Sequence, residues 1–287
     1  MITLYGENQN INLKWWTFPG GERSVAIIAP QDIIRLKSFT VHCAFQGSDD
    51  LIDTLLLVNA IRNISKDTRL RLCIPYFPFA RQDRVMNIGE PLSLQVVIQL
   101  IKLCNFSEVE VWDPHSDVLV GMFEPGTLVV KTQVECLEQY ISLLIPNSFL
   151  VSPDAGALKK IYKLAKQTKL PVIEASKIRD VKTGEITGTK IDFNNVDTYY
   201  RTSGTGKLVK PLFIIVDDIC DGGRTFIELA KEIRKVYGRE CNIQLVVTHG
   251  IFSKGLSVFS GLIDRINAKN NISNLNLIEY NKENTYV

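Results

Sequence analysis

The chain has 287 residues, 45% of them hydrophobic and 22% charged, with a net charge of +2. That length gives room for two domains with ample cores, and that composition excludes disorder as the default state. The near-neutral charge, with Lys and Arg scattered, leaves no electrostatic footprint for nucleic acid.

No apolar run reaches bilayer-spanning length and no signal peptide is visible, so the reading is a cytoplasmic protein with no membrane partner. Six cysteines occur without a Cys-x-x-Cys pair. They read as small buried thiols of a reducing compartment, not as a zinc site.

In chain order, Phe18-Pro19-Gly20-Gly21-Glu22 precedes a strand at Val25–Ile28, and a second strand follows at Val41–Ala44. Leu51–Asn63 has helical apolar spacing. A strand at Leu70–Pro75 leads into Tyr76-Phe77-Pro78-Phe79-Ala80-Arg81-Gln82-Asp83-Arg84. A helix over Pro91–Leu103 has Pro in its first turn. A strand at Val109–Trp112 ends in Asp113-Pro114-His115. Ser148–Val151 is a strand, followed by Ser152-Pro153-Asp154 and a helix over Ala155–Gln167. Further strands are expected at Val172–Glu174, Leu212–Val216, Gln244–Thr248 and Leu275–Tyr280. This alternation predicts an α/β protein with mainly parallel sheets. Acidic strand ends recur at Trp112-Asp113 and Val216-Asp217-Asp218, about one domain length apart. They suggest two tandem domains, residues 1–138 and 139–287, divided within a polar helical stretch near 132–146.

The chemistry concentrates at strand ends. Phe213–Val216 runs into Asp217 and Asp218, the turn residues Asp221, Gly222 and Gly223 follow, and after Arg224 a helix opens at Thr225 and carries Phe226, Leu229 and Ile233. Such carboxylates accept hydrogen bonds from vicinal ribose hydroxyls, and a Gly turn at a helix N-terminus receives a phosphate. The bland alternative is a strand that merely ends in acidic residues. Arg81, Gln82, Asp83 and Arg84 suit a polyphosphate or a purine edge, or else form a solvated salt-bridged loop. His115 follows a parallel strand at its C-terminal end, where ligands bind in open sheets. His42 and His249 read as structural. Asp154 fits a helix cap as well as a ligand. Gly204-Thr205-Gly206-Lys207 fails as a P-loop, because Arg201 stands where the first Gly is required and no Ser or Thr follows Lys207.

Taken together, segments 18–22, 48–62, 76–84, 113–115, 152–156, 177–179 and 217–225 resemble, in collinear order, the phosphoribosyl pyrophosphate (PRPP) synthetases, or ribose-phosphate pyrophosphokinases. The resemblance implies two tandem phosphoribosyltransferase-like domains. It also implies Mg²⁺-dependent transfer of diphosphate from ATP to the anomeric hydroxyl of ribose 5-phosphate, giving PRPP and AMP. It assigns Phe18, Glu22, Arg81, Gln82, Asp83 and Arg84 to ATP, with Phe18 and Glu22 reaching into a neighbouring subunit. His115 and Asp154 become metal ligands. Lys177 and Arg179, ahead of a hairpin running from Thr183 to Thr189, become catalytic cations beside His115. Asp217, Asp218, Asp221, Gly222, Gly223, Arg224 and Thr225 hold the ribose phosphate. A homo-oligomer built from dimers, up to a hexamer, is expected.

Three departures bear on these assignments. Gly20 replaces an Asp of the adenine loop. In the family form Asp-Asp-x-x-Asp-Thr-x-Gly-Thr, Gly222 replaces the first Thr and Arg224 the later Gly. A wider, more cationic loop opens an alternative substrate, ADP-ribose giving ADP-ribose pyrophosphate, in nucleotide or NAD salvage. Family members also continue with another helix after their last strand. The reading here places none, so regulation by phosphate or ADP is not expected. A phosphoribosyltransferase or an inactive regulatory paralogue are further alternatives. The Arg81–Arg84 loop and His115 argue against the former, and the retained Lys177 and Arg179 against the latter.

Overall fold

The computed structural model describes residues 1–7, 9–141, 147–179, 186–194, 196 and 210–284. The chain divides into two compact units, Met1–Thr132 and Gln133–Val287. Each is built on a six-stranded sheet.

In the first unit the strands are β1 (Ile2–Gly6), β2 (Gln9–Ile11), β3 (Leu13–Thr17), β4 (Arg23–Ile27), β5 (Ser38–Cys43), β6 (Arg69–Cys73), β7 (Glu108–Trp112) and β8 (Leu128–Lys131). The sheet order is β2-β1-β5-β6-β7-β8, while β3 and β4 form a separate hairpin. From β5 to β8 neighbours run parallel, and β1 joins β5 antiparallel. The helices are α1 (Asp49–Ile64), α2 (Ser93–Leu103) and the short α3 (Asp117–Gly121). Val41, Leu72, Val109 and Val111 share a core with Leu57, Ile61, Val97 and Ile98. Burial alternates along β5, β6 and β7. Period-two side chains put Val109 and Val111 into the core and Glu108 and Glu110 on the other face. That second face carries Tyr5, Thr40, His42, Arg71, Cys73, Glu108 and Glu110 around a cavity of about 230 Å³.

The second unit holds α4 (Gln133–Leu137), β9 (Ser148–Ser152), α5 (Leu158–Thr168), β10 (Val172–Arg179), β11 (Ile186–Ile191), β12 (Leu212–Cys220), α6 (Arg224–Tyr237), β13 (Asn242–Gly250), β14 (Arg265–Asn271) and α7 (Leu277–Asn284). Its order is β11-β10-β9-β12-β13-β14. All pairs are parallel except β10 with β11. Here β9 is buried throughout and β13 nearly so. The continuous apolar runs of Phe149–Val151 and Phe213–Val216 are those of strands covered on both faces.

Two expectations are corrected. The segment 275–280 is not a strand but leads into the helix α7, so a helix does follow the last strand, β14, where none was expected. Asn276 Oδ1 accepts the Glu279 N–H at 3.1 Å, and Asn276 Nδ2 reaches the Glu279 carboxylate at 3.0 Å. This reciprocal cap starts a helix over a short apolar run that fits either state. The outer strand is β14, whose Asn267, Lys269, Asn270 and Asn271 are poor strand formers held at a sheet edge. The other correction is that β12 does not stop at Val216. Pairing with β13 continues through Asp217, Ile219 and Cys220, so both aspartates lie on the strand and not in the turn after it.

Candidate functional site

In the second unit, β12 delivers Asp217 and Asp218 beside the turn Asp221-Gly222-Gly223. Asp218 is buried, and Lys160 from α5 approaches its Oδ2 at 3.4 Å. Asp217 Oδ1 accepts the Asp218 backbone N–H at 2.9 Å. Burial pushes the Asp217 carboxyl well above its ordinary range, and the adjacent Asp218 and then Asp154 add to the shift. Adjacent carboxylates, one of them buried, favour polar or cationic company, which Lys160 supplies to Asp218.

The turn itself is fixed by Gly223. Its φ is +78°, and a Cβ there would lie 2.4 Å from Phe259 Cζ. Phe259 is fully buried. Only glycine combines a left-handed backbone with that approach. Gly223 is the N-cap of α6, so the helix opens at Arg224, one residue before the expected Thr225. Arg224 is exposed and Thr225 half-buried. The first-turn N–H groups and the positive end of the helix dipole are therefore presented beside the acidic strand end.

Asp154 braces the turn ahead of α5 and is not its cap, since the N-cap is Ala157, with no side-chain capping bond. Its Oδ1 accepts the N–H groups of Gly156 and Ala157 at 3.0 and 3.3 Å, and Ser152 Oγ donates to the Asp154 carbonyl at 2.9 Å. Lys177 and Arg179 lie on β10, with backbones opposite Thr189 and Ile186 and a register shift between Ile178 and Arg179. Their side chains fall outside the described residues, as do the hairpin tip containing Thr183 and the turn Gly204–Lys207 with Arg201.

In the first unit, the loops after β6 and β7 are joined. Ser116 Oγ donates to Asp83 Oδ2 at 2.6 Å, and Arg84 Nε lies 3.4 Å from Asp83 Oδ1. The Asp83 carboxylate is thus spent on holding the Arg84 segment and the His115 segment together. Arg81, Gln82, Arg84 and His115 are exposed. Phe18 and Glu22 lie at the turn of the β3–β4 hairpin, closed by Phe18 N–H to the Glu22 carbonyl at 2.8 Å. Phe18 is 49% exposed and stands edge-on to Trp16. A Cβ on Gly20 would lie 2.6 Å from Glu22 Oε2. The Glu22 carboxylate therefore occupies the space of the side chain that Gly20 lacks.

Sequence reasoning missed Lys160 and Ser116. Ser116 follows His115 directly and was open to inspection. Lys160 is one of several lysines on an amphipathic helix, and only the fold singles it out. His249 is buried with Asn270 Nδ2 at 3.2 Å from its Nδ1. All six thiols are free, and burial raises the ionisation of Cys43 to about 11 and of Cys73 to about 12, which keeps them protonated and unreactive.

Residues 6–104 match the family described as the N-terminal domain of ribose phosphate pyrophosphokinase. The ribose-phosphate pyrophosphokinase of Pyrococcus furiosus is 30% identical over 265 residues, covering 92% of this chain and 86% of that protein. The enzyme of that name from Thermococcus kodakarensis is 28% identical over 256 residues, covering 89% and 84%. The crystal structure of phosphoribosylpyrophosphate synthetase from Mycobacterium smegmatis superposes with a TM-score of 0.68 at 20% identity, over 90% of this chain and 80% of that one. At that identity the likeness is one of fold: two tandem phosphoribosyltransferase-like domains.

Proposed function

The chain belongs to the ribose-phosphate pyrophosphokinase family, and from that premise we propose that it makes PRPP, transferring diphosphate from ATP to the 1-hydroxyl of ribose 5-phosphate. The observation that carries this reading is the Asp217–Thr225 segment. It places an acidic pair, Asp218 buried and Asp217 half-buried, a glycine-only turn and a helix N-terminus in sequence. The acidic pair suits sugar hydroxyls, and the glycine turn and helix N-terminus suit a sugar phosphate.

The anomeric oxygen attacks the β-phosphorus of ATP in line. The bond from that phosphorus to the oxygen bridging to the α-phosphate breaks. AMP leaves with the bridging oxygen, and the hydroxyl proton passes to solvent. Asp217 and Asp218 hold the 2- and 3-hydroxyls, and Lys160 orients Asp218. Gly223, Thr225 and Arg224 face the 5-phosphate, and Asp221 fixes the turn. Arg81, Gln82 and Arg84 take the nucleotide, with Asp83 as their brace. Phe18 and Glu22 stack on and bond the adenine. Lys177 and Arg179 stabilise the equatorial oxygens of the transferring group, a role worth roughly 10³–10⁵ in rate when one cation performs it.

His115 of the first unit would take Mg²⁺ with the nucleotide, and Asp154 of the second unit would take Mg²⁺ with the sugar; the metal charge would offset that of the phosphates. The donor chemistry fits: one exposed imidazole and one carboxylate oriented by backbone N–H groups. Among the described residues no three His, Cys, Asp or Glu side chains cluster to hold a metal. Mg²⁺ bound to a nucleotide takes most of its ligands from phosphate and water, so a protein cage is not needed.

A second reading rests on exposed Arg224. A cation at the helix start also suits the diphosphate of ADP-ribose. Mass spectrometry of products after Mg–ATP is supplied with each sugar decides. AMP with PRPP supports the first reading, and AMP with ADP-ribose pyrophosphate supports the second. If neither sugar yields AMP, both are wrong.

A further inference from the structure

Gly222 lacks the hydroxyl that the family form carries there, yet its surroundings are not empty. A Cβ on Gly222 would lie 3.5 Å from Lys254 Cε, 3.6 Å from Lys254 Cδ and 3.8 Å from Ser253 Oγ. The stem of Lys254 therefore runs over the bare turn, and its ammonium is one bond further on. This placement is built, not accidental. The Ile251 and Phe252 N–H groups both donate to the Cys220 carbonyl, at 2.8 and 3.1 Å, and Gly255 N–H closes the turn onto Phe252. Those bonds tie the loop after β13 to the end of β12, two residues before Gly222. Phe252 stands edge-on to Phe259, the ring that also supports Gly223. One aromatic pair thus sets both the glycine turn and the lysine loop.

We propose that Lys254 is the second cation of the sugar-phosphate loop and takes the phosphate on C5 of the ribose in place of the hydroxyl absent at Gly222. This rests on the assignment of residues 217–225 to the sugar. A phosphate dianion at the start of α6 would then meet Arg224, the first-turn N–H groups and Lys254, with Asp221 the nearby anion in the turn. A lysine is a compact, strongly hydrated point charge without the fork geometry of arginine. It accepts a phosphate monoester or the first phosphate of a diphosphate alike. The chemistry recognised is the phosphate next to C5.

Calorimetric titration tests this with ribose 5-phosphate and ADP-ribose as separate arms, on wild type, Lys254→Gln, Lys254→Arg and Asp218→Asn. Lys254→Gln should weaken the sugar that binds by about tenfold or more, lower the salt dependence of that binding, and leave ATP within about twofold. Lys254→Arg keeps the charge and should recover most of the affinity, which a merely structural stem would not require. An effect confined to ribose 5-phosphate assigns the monoester, and an equal effect on both assigns the shared phosphate. If Lys254→Gln binds both sugars as wild type does while Asp218→Asn loses them, the lysine is idle and the sugar site stands. If Asp218→Asn binds as wild type does, or wild type binds neither sugar, the site assignment falls and Lys254 with it.

Discussion

Asp217 is held in a state that water would not choose. Its carboxyl is raised by burial first and by Asp218 second, so ionisation costs folding free energy. The sign follows directly. Below the ordinary carboxylate range both folded and unfolded chains carry the proton, and there is no penalty. As pH rises through that range the unfolded chain ionises first, and stability falls until the folded carboxyl also ionises. Asp217→Asn should therefore raise the melting temperature at pH 7 by a few degrees, with the gain vanishing near pH 4. The same variant should lose sugar affinity, an exchange of stability for function. A melting-temperature gain that persists unchanged at low pH would contradict the electrostatic cause. Lys160→Ala should act oppositely. It leaves Asp218 buried without its cation, and unfolding in urea should show a loss of roughly 1–3 kcal/mol, below the value for a fully buried pair because Lys160 is partly exposed. For Lys177→Ala and Arg179→Ala, kcat should fall about 10³-fold while the KM for ATP moves little, because both cations act mainly on the transition state. Steady-state rates with near-normal kcat in both variants would remove the assignment.

At the scale of elements, adjacent glycines in the turn from β12 to α6 have opposite tolerances. Gly223→Ala adds a methyl in a left-handed backbone against buried Phe259, and should cost about 2–4 kcal/mol in chemical denaturation. Gly222→Ala meets the Lys254 stem and Ser253 Oγ at ordinary contact distances and should stay within about 0.5 kcal/mol. Equal costs at both positions would show that the turn relaxes freely. These glycines were legible in the sequence because they follow a continuous apolar run and precede a helical period. The strands at the ends of the sheets were not. β1 and β2 pair antiparallel outside the strand–helix rhythm. The polar β14 is defined by its neighbour β13 and not by its own composition. Likewise Asp217 and Asp218 looked like a strand terminus because carboxylates are rare in sheets, whereas the ladder to β13 carries the strand past them. Local pattern determines where apolar runs sit, while pairing partners determine where strands end.

For the molecule as a whole, the two units repeat one architecture with different surroundings. The second unit's central strands β9 and β13 are buried on both faces, whereas the first unit's central strands alternate between core and a polar face. That alternation was written in Glu108-Val109-Glu110-Val111, and the continuous burial in Phe213–Val216. The first unit also exposes Phe18 at a hairpin turn, a large ring whose aromatic contact among the described residues is Trp16 of its own hairpin. An aromatic at a hairpin tip suits stacking on a base held by another copy of the chain, which makes assembly part of the proposed activity. In a two-fold dimer each site would then combine Phe18 from one copy with Arg81 from the other. Phe18→Ala and Arg81→Ala subunits should each be nearly inactive alone. Mixed in equal amounts and allowed to exchange, half of the dimers are hybrids, and each hybrid has one site with both native residues. Activity should recover to about a quarter of wild type. Light scattering on the active fraction should find a dimer or a multiple of it. An active monomer, or a mixture no more active than its components, would place Phe18 and Arg81 in the same subunit's site or remove Phe18 from the site altogether.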